Sequence, residues 1–279
     1  MKNAMPADTP TSTAEVDRQF DELKQQASAN ESLTDGSSPV AATSTTITPQ
    51  AAPPVTNFSK TNGKVFYYNQ TDGKDYVCSG SSINSDSKRL VVTAGHCVYG
   101  APGNEWHTNW IFAPGYNNGT TYGTYQAATL RTFTDWINYG ESGRGFNSDV
   151  AFVTTYDGST SEAPVVNAVG GHGFRWGGGF DVSVFGYPAN LNGGQIMWAC
   201  WGTSGTGWLG VYEFNHIAGC NFGGGSSGGP WLDEYSNTTG LGYVRSVTSN
   251  GPTNSTAYIQ GPYFDSRVND LFVAANNDW

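Results

Sequence analysis

Charge is what this chain has least of. Asp, Glu, Lys and Arg make up 13% of its 279 residues, divided into 23 acids and 13 bases for a net charge of -10. So acidic a chain lacks the basic face that nucleic acid or an anionic membrane needs in a partner. No run of about 18 apolar residues occurs, so no helical membrane span is expected. Cysteine is scarce too, at four residues, and none stands in a C-x-x-C pair. That removes the usual signal for a zinc site, and neither metal nor cofactor is expected. Strands alternating with helices are missing, which excludes a doubly wound α/β sheet.

What the chain does have is 37 Gly, 15 Tyr and 9 Trp, the composition of short aromatic strands joined by many turns. Strands are expected at 65–68, 76–79, 90–93, 110–113, 122–132, 150–156, 181–185, 196–201, 211–214, 243–248 and 257–260, with turn residues between them. This is an all-β pattern. The pattern breaks at the end, where Phe264, Val268, Leu271 and Phe272 recur at helical spacing and predict a C-terminal helix over 263–275.

Residues 1–55 read differently. Ser12-Thr13-Ala14-Glu15 forms a capping box ahead of Val16, Phe20 and Leu23, which predicts one short amphipathic helix. Residues 30–56 are rich in Ser, Thr, Ala and Pro and predict a disordered leader, read as a pro-segment. Met1 to Pro10 contains no apolar signal core. The four cysteines permit three pairings, of which the separations of 19 and 20 favour Cys78–Cys97 and Cys200–Cys220. Disulfides imply an oxidising compartment and a secreted protein, as do six Asn-x-Ser/Thr sequons.

Three motifs carry chemistry. Gly223-Gly224-Gly225-Ser226-Ser227-Gly228-Gly229-Pro230 packs five glycines into eight residues between Cys220 and Trp231. Glycine at this density opens backbone angles closed to other residues and lets a substrate approach the main chain. Thr93-Ala94-Gly95-His96-Cys97 places a histidine just after an apolar strand, and Asn147-Ser148-Asp149 places an acid at the mouth of another. A carboxylate there is partly desolvated and needs a donor such as an imidazole N–H.

Together, and in the order His, Asp, Ser, these motifs resemble the chymotrypsin-like serine peptidases over roughly residues 60–275, and most closely the secreted glutamyl-endopeptidase-like branch. The resemblance implies two six-stranded antiparallel β-barrels, over 58–160 and 161–262 of a peptidase domain spanning 56–279, with the site between them. It implies Ser227 as nucleophile, His96 as base and then acid, Asp149 as the group that fixes the imidazole, and the N–H groups of Gly225 and Ser227 as an oxyanion hole. Ser249 is similar to a serine that supports the acid, and Ser249 to Gly251 would pair with an extended peptide. Asn221, Phe222 and Thr248 would line the pocket for the residue before the cut.

Two departures from the family pattern matter. Animal members carry Asp where this chain has Ser226, and that Asp pairs with a freed α-amino group on activation, so that switch is not expected here. Asn221 stands where Lys/Arg-specific members carry an acid, and Thr248 where glutamyl-specific members carry a histidine. His216 is the one nearby histidine, and it is expected to be structural, as are His107 and His172. The expected protein is therefore a secreted, monomeric serine endopeptidase acting on proteins or peptides. The alternatives are an inactive binding module on the same fold and a serine esterase, to whose Gly-x-Ser-x-Gly elbow the stretch 225–229 conforms.

Overall fold

The computed structural model describes residues 4–6, 33–42, 57–100, 103, 105–177, 181–209, 212–251 and 258–279. The amphipathic helix expected near Val16 lies outside them. Two leader strands come first, β1 (Met5–Pro6) and β2 (Thr34–Ser37). The first half then supplies β3 (Asn62–Asn69), β4 (Lys74–Ile83), β5 (Leu90–Thr93), β6 (Thr108–Pro114), β7 (Tyr125–Thr132) and β8 (Ala151–Thr155). These six close on themselves in the order β4-β3-β6-β7-β8-β5, with β5 pairing back to β4, all antiparallel. Closure leaves open only the start of β4, where β1 adds in parallel with Met5 opposite Tyr76, and the interior is filled by Val65, Val91, Phe112 and Val153.

The second half supplies β9 (Gly173–Trp176), β10 (Asp181–Gly186), β11 (Trp198–Thr203), β12 (Gly205–Leu209), β13 (Tyr212–Ala218), β14 (Pro230–Ser236), β15 (Leu241–Val247) and β16 (Tyr258–Pro262). Among the described residues these do not close into one six-stranded barrel. They form a six-stranded sheet in the order β11-β10-β14-β15-β9-β2 and a separate three-stranded sheet, β12-β13-β16. One antiparallel bridge, between Asn250 just past β15 and Gln260 of β16, joins the two sheets through the main chain, and side chains do the rest. Val182, Val184 and Trp231 of the larger sheet share one apolar cluster with Ile217 and Ile259 of the smaller, and Cys200 of β11 is bonded to Cys220 just after β13. Cys78–Cys97 is the other bridge, so the favoured pairing is the one observed.

The C-terminal helix runs Ser266–Asn276, capped by Asp265, whose carboxylate accepts from the N–H groups of Arg267 and Val268. Its Phe272 packs on Phe152 of the barrel and on Phe174 of β9, so one helix face covers apolar surface from both halves.

The expected disorder of the leader fails for residues 33–42. β2 pairs antiparallel with β9, Val40 and Gly171 exchange two hydrogen bonds of 2.9 Å, and Asn84 donates to Ser38 O at 2.7 Å. Asp35 also forms an ion pair with Arg175, a side chain only 8% exposed. Composition alone cannot reveal this. The apolar surface and the cation that order this segment belong to β9, about 140 residues further along the chain.

His172 sits at the junction of the halves, fully buried. Its Nδ1 accepts from Gly242 N–H at 3.2 Å, so Nε2 carries the proton and donates to Asn62 Oδ1 at 2.8 Å. Burial pushes its pKa down to about 3. Above the ordinary histidine value the group is neutral whether folded or unfolded, and its full contribution is present. As pH falls below about 6.5 the unfolded chain takes up a proton that the folded chain refuses until about pH 3. Stability should therefore fall on acidification through this window, by up to about 1.4 kcal/mol per pH unit from this residue. Urea unfolding at pH 7.5 and pH 5 measures it. His172→Gln should show the smaller pH dependence, and equal dependence in the two proteins would contradict a neutral buried imidazole.

Candidate active site

The strand β5 is buried along its whole length and ends in a short 3-10 turn, Gly95–Cys97, that carries His96. Four contacts outside that turn hold it in place. The Cys97 disulfide ties it to β4. His107 Nε2 donates to His96 O at 3.1 Å, Trp110 Nε1 to Cys97 O at 3.1 Å, and Trp136 Nε1 to Tyr99 O at 3.0 Å. His107 is itself fixed by stacking on Tyr67, with centroids 4.3 Å apart. Burial lowers its pKa to about 4, which keeps it neutral and a one-proton donor at physiological pH.

Asp149 follows the 3-10 turn Gly143–Ser148 and is 1% exposed. A buried carboxylate needs donors for its lone pairs, and Asp149 has three. His96 N–H donates to Oδ1 at 2.8 Å, His96 Nδ1–H to Oδ2 at 2.9 Å, and Ser249 Oγ–H to the same Oδ2 at 2.5 Å. An ionised carboxylate can only accept, so Nδ1 carries the imidazole proton and Nε2 is left with the lone pair. Gly95 makes the close approach possible, since a Cβ there would meet Asp149 Oδ1 at 3.0 Å and Thr132 Oγ1 at 2.9 Å.

Ser227 reaches this turn on a loop wedged between the two halves. Gly228 has φ +79° and lies against the barrel, where a Cβ would meet Thr93 Oγ1 at 2.1 Å and Ala94 N at 2.8 Å. Only glycine fits there on both counts. The Gly228 N–H donates to Thr248 O at 2.7 Å and Thr248 N–H to Gly229 O at 2.9 Å, which anchors the other side of the loop to the end of β15. Ser226 turns inward and donates through both N–H (3.2 Å) and Oγ (2.7 Å) to Gly223 O, so it is part of the loop's scaffold. Among the described residues the N–H groups of Gly225 and Ser227 donate to no other main-chain group.

The structure thus brings together His96, Asp149, Ser249 and the Ser227 loop. Of the expected pocket residues, Thr248 is buried and its Oγ1 accepts from Trp231 Nε1 at 3.0 Å. Asn221 is exposed, and its carbonyl and Oδ1 both accept from Asn190 Nδ2, at 3.1 and 3.0 Å. Phe222 packs against the second-half cluster. Gly251 borders residues 252–257, which lie outside the description. His216 pairs with Gln260 across β13 and β16 and lies over Gly205. Asn190, His107, Trp110 and Trp136 were not legible as site residues, because each acts through a main-chain partner distant in sequence. The one His/Cys group close enough to hold a metal among the described residues is Cys78, His96 and Cys97, whose sulfurs are joined in a disulfide and offer no thiolate.

No protein-family model matches the chain. A curated relative, an extracellular metalloprotease of Bacillus subtilis, is 31% identical over 130 residues, and the match covers 44% of this chain and 37% of that protein. The chain therefore spans little more than a third of the length of that relative. Solved structures match far more completely. The protease Anisep from Arthrobacter nicotinovorans is 32% identical, with a TM-score of 0.69, over 79% of this chain and 97% of its own. The thermostable serine protease AL20 from an extremophilic microorganism is 31% identical, also at 0.69, over 78% and 99%. A Glu endopeptidase shares the fold at 19% identity and a TM-score of 0.61, covering 81% and 95%. With nearly the whole of two proteases matched above 30% identity, one of them a serine protease, and with its histidine, aspartate and serine motifs carried on the same fold, the chain belongs to the chymotrypsin-like serine peptidases.

Proposed function

We propose that the protein is a secreted serine endopeptidase that cleaves protein or peptide substrates through an acyl-enzyme on Ser227. Ser227 Oγ adds to the scissile carbonyl carbon while its proton passes to His96 Nε2, and the charge developing on the carbonyl oxygen is met by the N–H groups of Gly225 and Ser227. Collapse breaks the C–N bond, and the departing amine takes the proton from His96. Water then adds to the ester with His96 as base, which releases the acid and restores Ser227.

The observation that carries this reading is the triple hydrogen bond to Asp149, because it leaves Nε2 as the basic nitrogen of His96. An inactive binding module would have no use for a buried carboxylate spent on one tautomer, and an esterase elbow needs the strand-to-helix turn of an α/β sheet. Two disulfides support an extracellular setting. Residues 33–42 are read as part of a pro-segment that docks on the second half. The leader then meets the enzyme at β9 through β2 and at β4 through β1, outside the triad.

Ser227→Ala should lower kcat by about 10⁶-fold and abolish labelling by a fluorophosphonate, with unfolding temperature unchanged. Casein cleavage at the parental rate would overturn the assignment. Asp149→Asn should cost on the order of 10⁴-fold in kcat, because the amide can donate to Nδ1 and hold the wrong tautomer. A loss below tenfold would remove Asp149 from the mechanism.

Specificity follows from what lines the pocket. Asn221, Phe222 and Thr248 are neutral, and the hydroxyl of Thr248 is already bonded to Trp231. No carboxylate among them is available to select Lys or Arg, so cut sites should not be confined to either residue. A peptide-library digest read by mass spectrometry tests this, and cleavage restricted to Lys and Arg would contradict it.

A further inference from the structure

We propose that Ser79 is a positioning residue for the oxyanion loop, holding the peptide plane between the two donor N–H groups. The inference rests on the reading of Gly225 and Ser227 as those donors. Gly223-Gly224-Gly225 has no side chains to lock it, and Gly225 sits at φ +90°, so its planes could turn over at little cost. Because the peptide unit is planar, fixing a C=O fixes the N–H of the following residue.

Four successive carbonyls in this loop are each taken by a donor. Gly224 O accepts from Ala189 N–H at 2.8 Å, which orients the N–H of Gly225. Ser226 O accepts from Gly229 N–H at 2.9 Å, which orients the N–H of Ser227. Ser227 O accepts from the N–H of Ser79 at 2.7 Å. All three of those donors are main chain. The plane between the two oxyanion donors is different, for its N–H, that of Ser226, has only the long 3.2 Å bond to Gly223 O, and its carbonyl, Gly225 O, accepts from a side chain, Ser79 Oγ, at 2.8 Å.

The geometry leaves that hydroxyl no other role. Ser79 is 1% exposed, and its Oγ accepts from Tyr187 N–H at 2.9 Å, so its single proton goes to Gly225 O. Its carbonyl accepts from Thr93 Oγ1 at 2.8 Å, one strand from the turn that carries His96. One residue of β4 thus links the barrel, the loop after β10 and the oxyanion loop. Nothing about a serine beside Cys78 signals this in the sequence.

The test compares Ser79→Ala and Ser79→Thr with the parent in the full chain. Ser79→Ala should lower kcat by on the order of 10- to 100-fold with KM within about twofold, the size expected when catalytic donors are displaced by a fraction of an ångström. Affinity for a peptide boronate, which places a tetrahedral oxygen in the hole, should fall in parallel. Affinity for a peptide with the scissile carbonyl reduced to methylene should hold. Ser79→Thr keeps the hydroxyl and should recover most of the loss. Parental kcat and boronate affinity in Ser79→Ala would overturn the proposal. So would a loss that follows unfolding temperature and affects both ligands equally, since that is the mark of packing alone. Fluorophosphonate labelling separates the two readings. A parent that does not label overturns the triad and this inference together, whereas a parent and Ser79→Ala that label at the same rate overturn the inference alone.

Discussion

The structure depends on one buried carboxylate. Asp149 is 1% exposed, and an isolated charge at that depth would cost several kcal/mol. It is stable there because the main chain of the His96 turn, the His96 ring and the Ser249 hydroxyl all donate to it. Those donors come from β5's end in the barrel and from the segment after β15 in the second half. The need to satisfy one charge therefore also fixes how the two halves meet. The geometry around Asp149 and the docking of the two halves are the same constraint seen from two sides.

The Ser227 loop obeys a related logic with neutral groups. Its flexibility is removed at both ends, at Gly228 and Gly229 by Thr93 and the Thr248 ladder and at Gly223 and Gly224 by Asn190 and Ala189. Inside the loop, Ser226 folds back on Gly223 O through two donors. Ser226 meets a carbonyl of its own loop with a neutral hydroxyl, so the order of the loop is drawn from matched main-chain groups rather than from an ion pair.

Much of this was legible in the sequence, and the reasons are local. His96, Asp149 and Ser227 each sit in a short motif whose glycines and flanking apolar strand can be read within ten residues. The strand at 90–93 emerges with the expected bounds because four consecutive apolar or β-branched residues leave little choice. β14 was missed, since Pro230 and the charged Asp233-Glu234 pair break the strand pattern. Only the structure shows Asp233 accepting from both Arg175 and Arg245, which makes this charged pair part of a buried ion network. Closure of the second half was expected from the family pattern, yet its strands divide into two sheets joined by apolar side chains.

The leader marks where composition stops being a guide. Residues 33–42 have too little apolar surface to order themselves. Order came instead from β9, whose open edge offers unpaired main-chain groups and whose Arg175 is buried at 8% exposure and needs carboxylates. A disordered segment placed beside an edge strand and a buried cation is no longer judged by its own hydrophobicity. By the same reasoning, the strand that covers β9 is as much a part of the second half's sheet as the strands that follow residue 56. Its removal would expose both the edge and the cation it now satisfies.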